Sequence, residues 1–156
     1  MKQFLTASIM GFFGAFATLI SFSFHLPSWV LFLAWISYYL FGKSVKSAIQ
    51  ILLPLTCGIL MGITIQLFGG GLSDYLGNFG FPIAVFIWIT SLSYFSKIKR
   101  LENIPAWFIG LIIFFGLHPK IEIKPMIIIF ITIISGFVFA YLNDTMTRLV
   151  LKNKHN

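Results

Sequence analysis

Residues 2–43 read KQFLTASIMGFFGAFATLISFSFHLPSWVLFLAWISYYLFGK, and the 40 residues between Lys2 and Lys43 contain no Asp, Glu, Lys or Arg. A charged side chain in the hydrocarbon core of a bilayer is costly, so long charge-free intervals mark membrane helices. One crossing needs about 20 residues. The interval therefore predicts two membrane helices, with His25-Leu26-Pro27 as the turn between them.

The rest of the chain continues this pattern. Four further charge-free intervals of 27, 22, 17 and 19 residues lie within Lys46–Asp74, Asp74–Lys97, Glu102–Lys120 and Lys124–Asp144. The runs are continuously apolar and lack the alternation of a membrane β-barrel. The sequence thus predicts an all-α membrane protein with six transmembrane helices, at roughly 4–24, 28–41, 48–68, 77–95, 106–117 and 126–142.

The composition excludes other classes of protein. Hydrophobic residues make up 58% of the chain and charged residues 10%, against about 25% charged in a soluble domain. A soluble globule and a disordered chain are both excluded. The single cysteine, Cys57, cannot form an internal disulfide framework or a thiolate zinc cluster.

The net charge of +7 is unevenly distributed along the chain. With the N-terminus inside, nine basic residues fall on inner segments and only Lys120 and Lys124 on outer ones. This bias predicts that both termini are cytoplasmic, and it makes nucleic acid a poor partner. The inner basic residues are Lys2, Lys43, Lys46, Lys97, Lys99, Arg100, Arg148, Lys152 and Lys154.

The two halves of the chain resemble each other when residue i is compared with residue i+78. Matched pairs are Pro27 with Pro105, Trp29 with Trp107, Lys46 with Lys124, Gly58 with Gly136, and Gly62 with Ala140. Each half holds three predicted spans, an odd number, so the second half enters the membrane from the opposite side. We therefore expect one transmembrane domain, 1–156, made of inverted repeats at about 1–72 and 76–150.

The second and fifth spans are short, and both open with Pro-x-Trp. Two interpretations stay open: the pair Pro27 and Trp29 and the pair Pro105 and Trp107 anchor the helices at the interface, or these short helices line a path near the pseudo-twofold axis. Small residues predict helix packing, within the subunit or against another one. The packing set is Ala7, Gly11, Ala15, Gly58, Gly62, Gly136 and Ala140.

Polar groups inside the predicted spans are neutral. No acid or base lies in the middle of any span, which argues against a proton relay. The third span is the most polar, and Pro54 is expected to kink it. We interpret four polar residues of the third span and three aromatic residues of the second and fourth spans as lining a solute path. They are Gln50, Thr56, Thr64 and Gln66, with Trp35, Tyr38 and Trp88. Gly69-Gly70-Gly71 predicts a flexible outer loop.

Catalysis is not expected. Glu102, Glu122, His25 and His118 fall in loops or at span ends and show no ligand spacing, whereas catalysis needs convergent groups. The sequence therefore predicts neither an enzyme nor a metal site nor a cofactor.

Three stretches carry a family resemblance. Residues 26–46, LPSWVLFLAWISYYLFGKSVK, together with 104–110 and 136–141, resemble the YcdZ-like family of small bacterial inner-membrane proteins, a family of unknown function. The resemblance implies a multi-pass protein of the bacterial inner membrane. It implies no substrate and no functional residues.

These observations favour a channel or facilitator for a small neutral or weakly charged polar solute, assembled as a homo-oligomer in the lipid bilayer. Two alternatives stay open: a membrane-embedded binding or accessory subunit of a larger transporter, and a structural membrane protein without cargo.

Overall fold

The computed structural model describes residues 2–152 of the chain, and their regular structure is helical throughout. The all-α prediction is confirmed. Six α-helices and one short 3₁₀ helix are formed within these residues: α1 Lys2–Ser23, α2 Ser28–Leu40, α3 Val45–Leu76, η1 Gly77–Phe79, α4 Gly80–Phe95, α5 Ile104–Leu117 and α6 Ile123–Lys152.

Helix length separates two kinds of helix. Three helical segments of residues 2–152 are long and apolar enough to cross a membrane: Gln3–Ser23, Val45–Phe95 and Ile123–Lys152. The 13 residues of α2 and the 14 of α5 extend only about 20 Å at about 1.5 Å per residue, against a hydrocarbon core of about 30 Å. The chain is therefore a membrane protein, and six complete crossings stay a prediction.

The prediction of a flexible loop at Gly69–Gly71 is wrong, because α3 continues through these glycines to Leu76. The turn lies instead at Gly77, whose φ is 55°. Two glycines explain the tight hairpin between α3 and α4. A Cβ on Gly80 would collide with the backbone of Ser73, and one on Gly69 would lie 2.8 Å from Phe81. Their missing side chains let the two helices approach closely.

The chain divides into two compact units. Within the described residues, unit 1 comprises 2–48 and 122–152 and contains α1, α2, the first residues of α3, and α6. The helix α2 lies against α6, where a Cβ on Gly136 would collide with the Leu31 carbonyl and approach Ala34. The helix α1 contacts α6 through the rings of Phe16 and Phe139, with centroids 5.9 Å apart.

Unit 2 comprises residues 49–121 and contains the remainder of α3, with η1, α4 and α5. Gly58 of α3 lies against the Trp107 carbonyl of α5, and Gly62 lies against Phe114. From Gly58 to Gly62 on α3 the contact moves from Trp107 to Phe114 on α5, so α3 and α5 are parallel. The helix α4 connects them in the chain and runs in the opposite direction. The buried core is formed by Met61, Ile65, Leu92, Trp107 and Leu111.

We expect Gly136→Ala to lower the free energy of unfolding by about 1–3 kcal/mol, the usual effect of overpacking, because the new methyl group meets backbone. The matched control is Gly71→Ala, which adds the same methyl on α3 where, apart from its chain neighbours and the adjacent backbone of α3, no heavy atom of residues 2–152 lies within 4 Å. The control should be neutral or stabilising, because alanine favours a helix over glycine. SDS titration in mixed micelles, followed by circular dichroism, measures both, and equal effects would contradict the packing.

Candidate functional site

Polar side chains gather where α2 ends against α6. The contacts of Leu31 with Gly136, Trp35 with Phe139 and Tyr39 with Asn143 advance in the same direction along both helices, which are therefore parallel. The last turn of α2 consequently meets the polar turn of α6. We call the resulting group the α2–α6 polar cluster; it consists of Tyr38, Tyr39, Lys43, Asn143, Asp144 and Arg148.

The carboxylate of Asp144 is the centre of the cluster. Its Oδ2 accepts a hydrogen bond from the Tyr38 hydroxyl at 3.1 Å and pairs with Arg148 Nη2 at 2.5 Å. Tyr38 is 2% exposed. The same Arg148 nitrogen donates to the Lys43 carbonyl at 3.1 Å, just past the end of α2. A cation suits this position, because the C-terminal end of a helix carries negative partial charge.

A second pair of residues lies beside this centre. Asn143 Nδ2 donates to the Tyr39 hydroxyl oxygen at 2.6 Å, and the Lys43 ammonium lies 5.3 Å from the centroid of the Tyr39 ring. Asn143 is 3% exposed, and its Oδ1 has no hydrogen-bond partner within residues 2–152. A buried polar atom without a partner costs roughly 1–3 kcal/mol, so packing alone does not account for Asn143.

Trp35 lies one turn before Tyr39 on α2. Its indole stacks on Phe139, with centroids 6.4 Å apart and planes 6° from parallel. The residue is 4% exposed, and its Nε1 has no hydrogen-bond partner in the described part of the chain.

The seven residues of the predicted solute path fall in both units. Trp35 and Tyr38 lie in unit 1 beside the polar cluster, and the other five lie in unit 2. The Thr56 and Thr64 hydroxyls donate to carbonyls of their own helix, at 2.7 and 2.8 Å. Gln50 and Gln66 are exposed, and Trp88 is half-buried.

The two Pro-x-Trp pairs are placed differently. Pro27 is the N-cap of α2, whereas Pro105 lies inside the first turn of α5, whose N-cap is Asn103. Trp107 is buried and donates to the Leu101 carbonyl at 3.0 Å, while Trp29 is 39% exposed.

The predicted packing residues also fall into two groups. Four of them are buried in the units described above: Gly58, Gly62, Gly136 and Ala140. The stripe on α1, by contrast, is exposed along its whole length, at Ala7, Gly11 and Ala15. A Cβ on Gly11 would meet no heavy atom of residues 2–152 within 4 Å.

Sequence reasoning missed the centre of the cluster. From the sequence, Asp144 was assigned only as the end of the last charge-free interval. Arg148 was assigned only as a basic residue of the inner side. The spacing of the two residues held the signal, since an aspartate four residues before an arginine forms an ion pair on a helix. That pair indicates that α6 continues beyond the apolar interval, as the structure shows.

Residues 7–148 match the family described as "protein of unknown function (DUF1097)". The chain belongs to this family. The matched range includes the entire α2–α6 polar cluster. No curated protein and no solved structure matches the chain. Membership in DUF1097 thus assigns no function, and the functional argument rests on the geometry of the cluster.

A double-mutant cycle tests whether the cluster is energetically connected. We expect Tyr38→Phe and Asp144→Ala to be non-additive by at least about 1 kcal/mol in unfolding free energy, because the hydroxyl bonds a charged group. The control cycle pairs Asp144→Ala with Tyr94→Phe, which removes an exposed hydroxyl in unit 2 and should be additive. Additivity in both cycles would refute the connection.

Proposed function

We propose that this DUF1097 protein is a channel or facilitator for a small neutral or weakly charged polar solute. In this proposal it is a multi-pass protein of the bacterial inner membrane, with both termini cytoplasmic, and it forms a homo-oligomer. Its framework is a pair of inverted three-helix repeats. The support comes from a comparison of the two units and from the polar groups that distinguish them.

The short helices of the two units bury the same positions. Every buried residue of α2 has a buried counterpart 76 residues later in α5, in a register that also aligns the N-caps Pro27 and Asn103. The buried residues of α2 are Val30, Leu31, Ala34, Trp35, Ser37 and Tyr38, and those of α5 are Ala106, Trp107, Gly110, Leu111, Ile113 and Phe114.

The long helices repeat this correspondence at an interval of 78 residues. The eight buried residues of α6 are Ile129, Thr132, Ile133, Gly136, Phe137, Phe139, Ala140 and Asn143. Their counterparts in α3 are also buried: Ile51, Pro54, Leu55, Gly58, Ile59, Met61, Gly62 and Ile65. Each unit thus combines two helices of one half with the third helix of the other half. This supports a duplicated repeat of three helices, and an odd number of spans per repeat requires inversion.

The observation that carries the functional proposal is where the repeats differ. In register, Tyr38 corresponds to Phe114 and Asn143 corresponds to Ile65. Unit 2 therefore forms the same helix packing with apolar side chains at the positions of Tyr38, Tyr39 and Asn143, while Asp144 corresponds to the exposed Gln66. The packing does not require these polar groups. We attribute them to the recognition of a solute.

The place of the cluster suits this role. The cluster lies at the end of α2 that the charge bias assigns to the inner side, beside the exposed Lys43 and Arg148, so a solute meets it at the inner end of a path. Because Arg148 neutralises Asp144 and the remaining cation, Lys43, is exposed, the buried part of the cluster favours a neutral or weakly charged solute over a strongly charged one.

Reconstituted vesicles test the proposal. We expect stopped-flow light scattering to detect uptake of urea, acetamide or glycerol faster than in protein-free vesicles. The variant Tyr38→Phe, which introduces the side chain found at Phe114, should lower the protein-dependent flux by about tenfold, equivalent to about 1.4 kcal/mol. The matched control Tyr94→Phe should leave it unchanged. Uptake no faster than in empty vesicles, across small amides, amines and anions, would overturn the proposal.

A second candidate, an accessory subunit or a cargo-free structural protein, draws on the exposed stripe of α1. Small residues at Ala7, Gly11 and Ala15 allow close helix contact, and within residues 2–152 no heavy atom lies within 4 Å of a Cβ built on Gly11. The homo-oligomer places a second copy on this stripe, whereas the accessory subunit places a different protein there.

The stripe provides its own test. We expect Gly11→Leu to reduce resonance energy transfer between labelled copies in vesicles, because the added side chain holds the helices apart. The control is Met10→Phe, which adds bulk at an exposed position about 100° around the helix and should have no effect. Equal transfer in the wild type and Gly11→Leu would exclude self-association through the stripe.

A further inference from the structure

We infer that Trp35, Tyr39 and Asn143 form a binding subsite for small neutral molecules that carry both an N–H donor and a carbonyl acceptor, the class of carboxamides and urea. This inference rests on the proposed function and deepens it, because it names the solute class and the atoms that recognise it. We call the three residues the amide subsite.

Unused hydrogen-bonding capacity defines the subsite. Within residues 2–152, neither Trp35 Nε1, a donor, nor Asn143 Oδ1, an acceptor, has a partner. Their side chains are 4% and 3% exposed. The Tyr39 hydroxyl accepts from Asn143 Nδ2 at 2.6 Å and keeps its own proton for donation, and Trp35 lies one turn before Tyr39 on α2. One donor on α2 and one acceptor on α6, both buried, therefore lie within one helical turn of a hydroxyl.

The register of the helices holds these groups together. Trp35 and Tyr39 are one turn apart on α2, and Phe139 and Asn143 are one turn apart on α6. Trp35 stacks on Phe139 at 6.4 Å, and Tyr39 bonds Asn143. The stacked rings fix the direction of the indole N–H and provide a flat apolar wall beside the polar atoms.

The chemistry of the three groups selects a ligand. The carbonyl oxygen of a carboxamide accepts from the Trp35 N–H and the Tyr39 O–H. The N–H group of the same carboxamide donates to Asn143 Oδ1. A carboxylate offers no donor for Asn143 and brings a negative charge toward Asp144. An ammonium ion offers no acceptor for the indole. Only a neutral molecule with both functions satisfies the whole set.

The comparison between units isolates the subsite as a specific feature of unit 1. The counterparts of Trp35, Tyr39 and Asn143, in the registers of 76 and 78 residues, are Leu111, Phe115 and Ile65. All three are apolar, although the indole of Trp88, whose Nε1 also has no partner within residues 2–152, packs against the same core of unit 2. A position whose packing is apolar in one unit and fully polar in the other points to a ligand.

Fluorine NMR tests the inference without relying on transport. The full chain carries four tryptophans, and 5-fluorotryptophan labelling in nanodiscs gives each its own signal, with Trp35 assigned by Trp35→Phe. We expect acetamide and urea to shift the Trp35 signal saturably. Acetone, which has the size of acetamide and an acceptor but no N–H donor, should leave that signal in place.

Two variants keep the test independent of misfolding. Asn143→Ile introduces the side chain of the corresponding position in unit 2, and Tyr39→Phe keeps the ring. Each should weaken the acetamide-dependent shift by about tenfold, equivalent to about 1.4 kcal/mol, with the other three tryptophan signals unchanged. Retention of the full shift in both variants would overturn the subsite.

The remaining outcomes separate this inference from the proposed function. An equal response to acetone overturns the subsite. It would mean that the Asn143 amide is rotated, so that its oxygen accepts from Tyr39 and only donors remain for a ligand. Solute flux without a saturable Trp35 shift overturns the subsite and leaves transport standing. A saturable shift that Asn143→Ile abolishes, in vesicles without solute flux, supports the subsite and overturns transport.

Discussion

The rest of the structure depends on a direct contact between helix backbones, made possible by missing side chains. In unit 1 Gly136 lies against the Leu31 carbonyl, and in unit 2 Gly58 lies against the Trp107 carbonyl. A Cβ at either glycine would collide with backbone, which cannot move aside as a flexible side chain can. Close contact between small residues is a principal source of helix association in membranes. Each short helix is therefore held at a fixed depth along a long one.

That fixed register determines which polar residues meet. With Leu31 set against Gly136, one turn further brings Trp35 to Phe139, and the next brings Tyr39 to Asn143. The arginine four residues after Asp144 then reaches the carbonyl of Lys43 just beyond α2. A carboxylate, a cation and the end of a short helix thus neutralise one another. The half-buried carboxylate of Asp144 is tolerated because the Arg148 guanidinium and the Tyr38 hydroxyl both bond it.

The sequence predicted the parts of this fold that follow from charge and from spacing along one helix. Charge-free intervals located the apolar helices, and the 78-residue interval paired Gly58 with Gly136. It could not predict the shift to 76 residues in α2 and α5, because the matching Pro-x-Trp letters hide the different caps: Pro27 is itself the N-cap of α2, whereas the N-cap of α5 is Asn103. Treating every charge as a boundary also hid Asp144, whose partner makes its place inside a helix tolerable.

The helical Gly69–Gly71 segment and the apolar counterparts of Tyr38, Tyr39 and Asn143 in unit 2 lead to one conclusion about which residues serve function. Glycines favour loops in isolation, yet this segment is helical, and its Gly69 packs against Phe81 and Ala84 of α4. Packing constraints of that kind act on both units alike, and they fix backbone spacing without fixing polarity. Phe115 and Tyr39 fill corresponding places, and only one of them carries a hydroxyl. Residues that differ in polarity while their packing is preserved are under a constraint that the fold does not impose. In unit 1 that constraint falls on adjacent turns of α2 and α6, where buried hydrogen-bonding groups face one another.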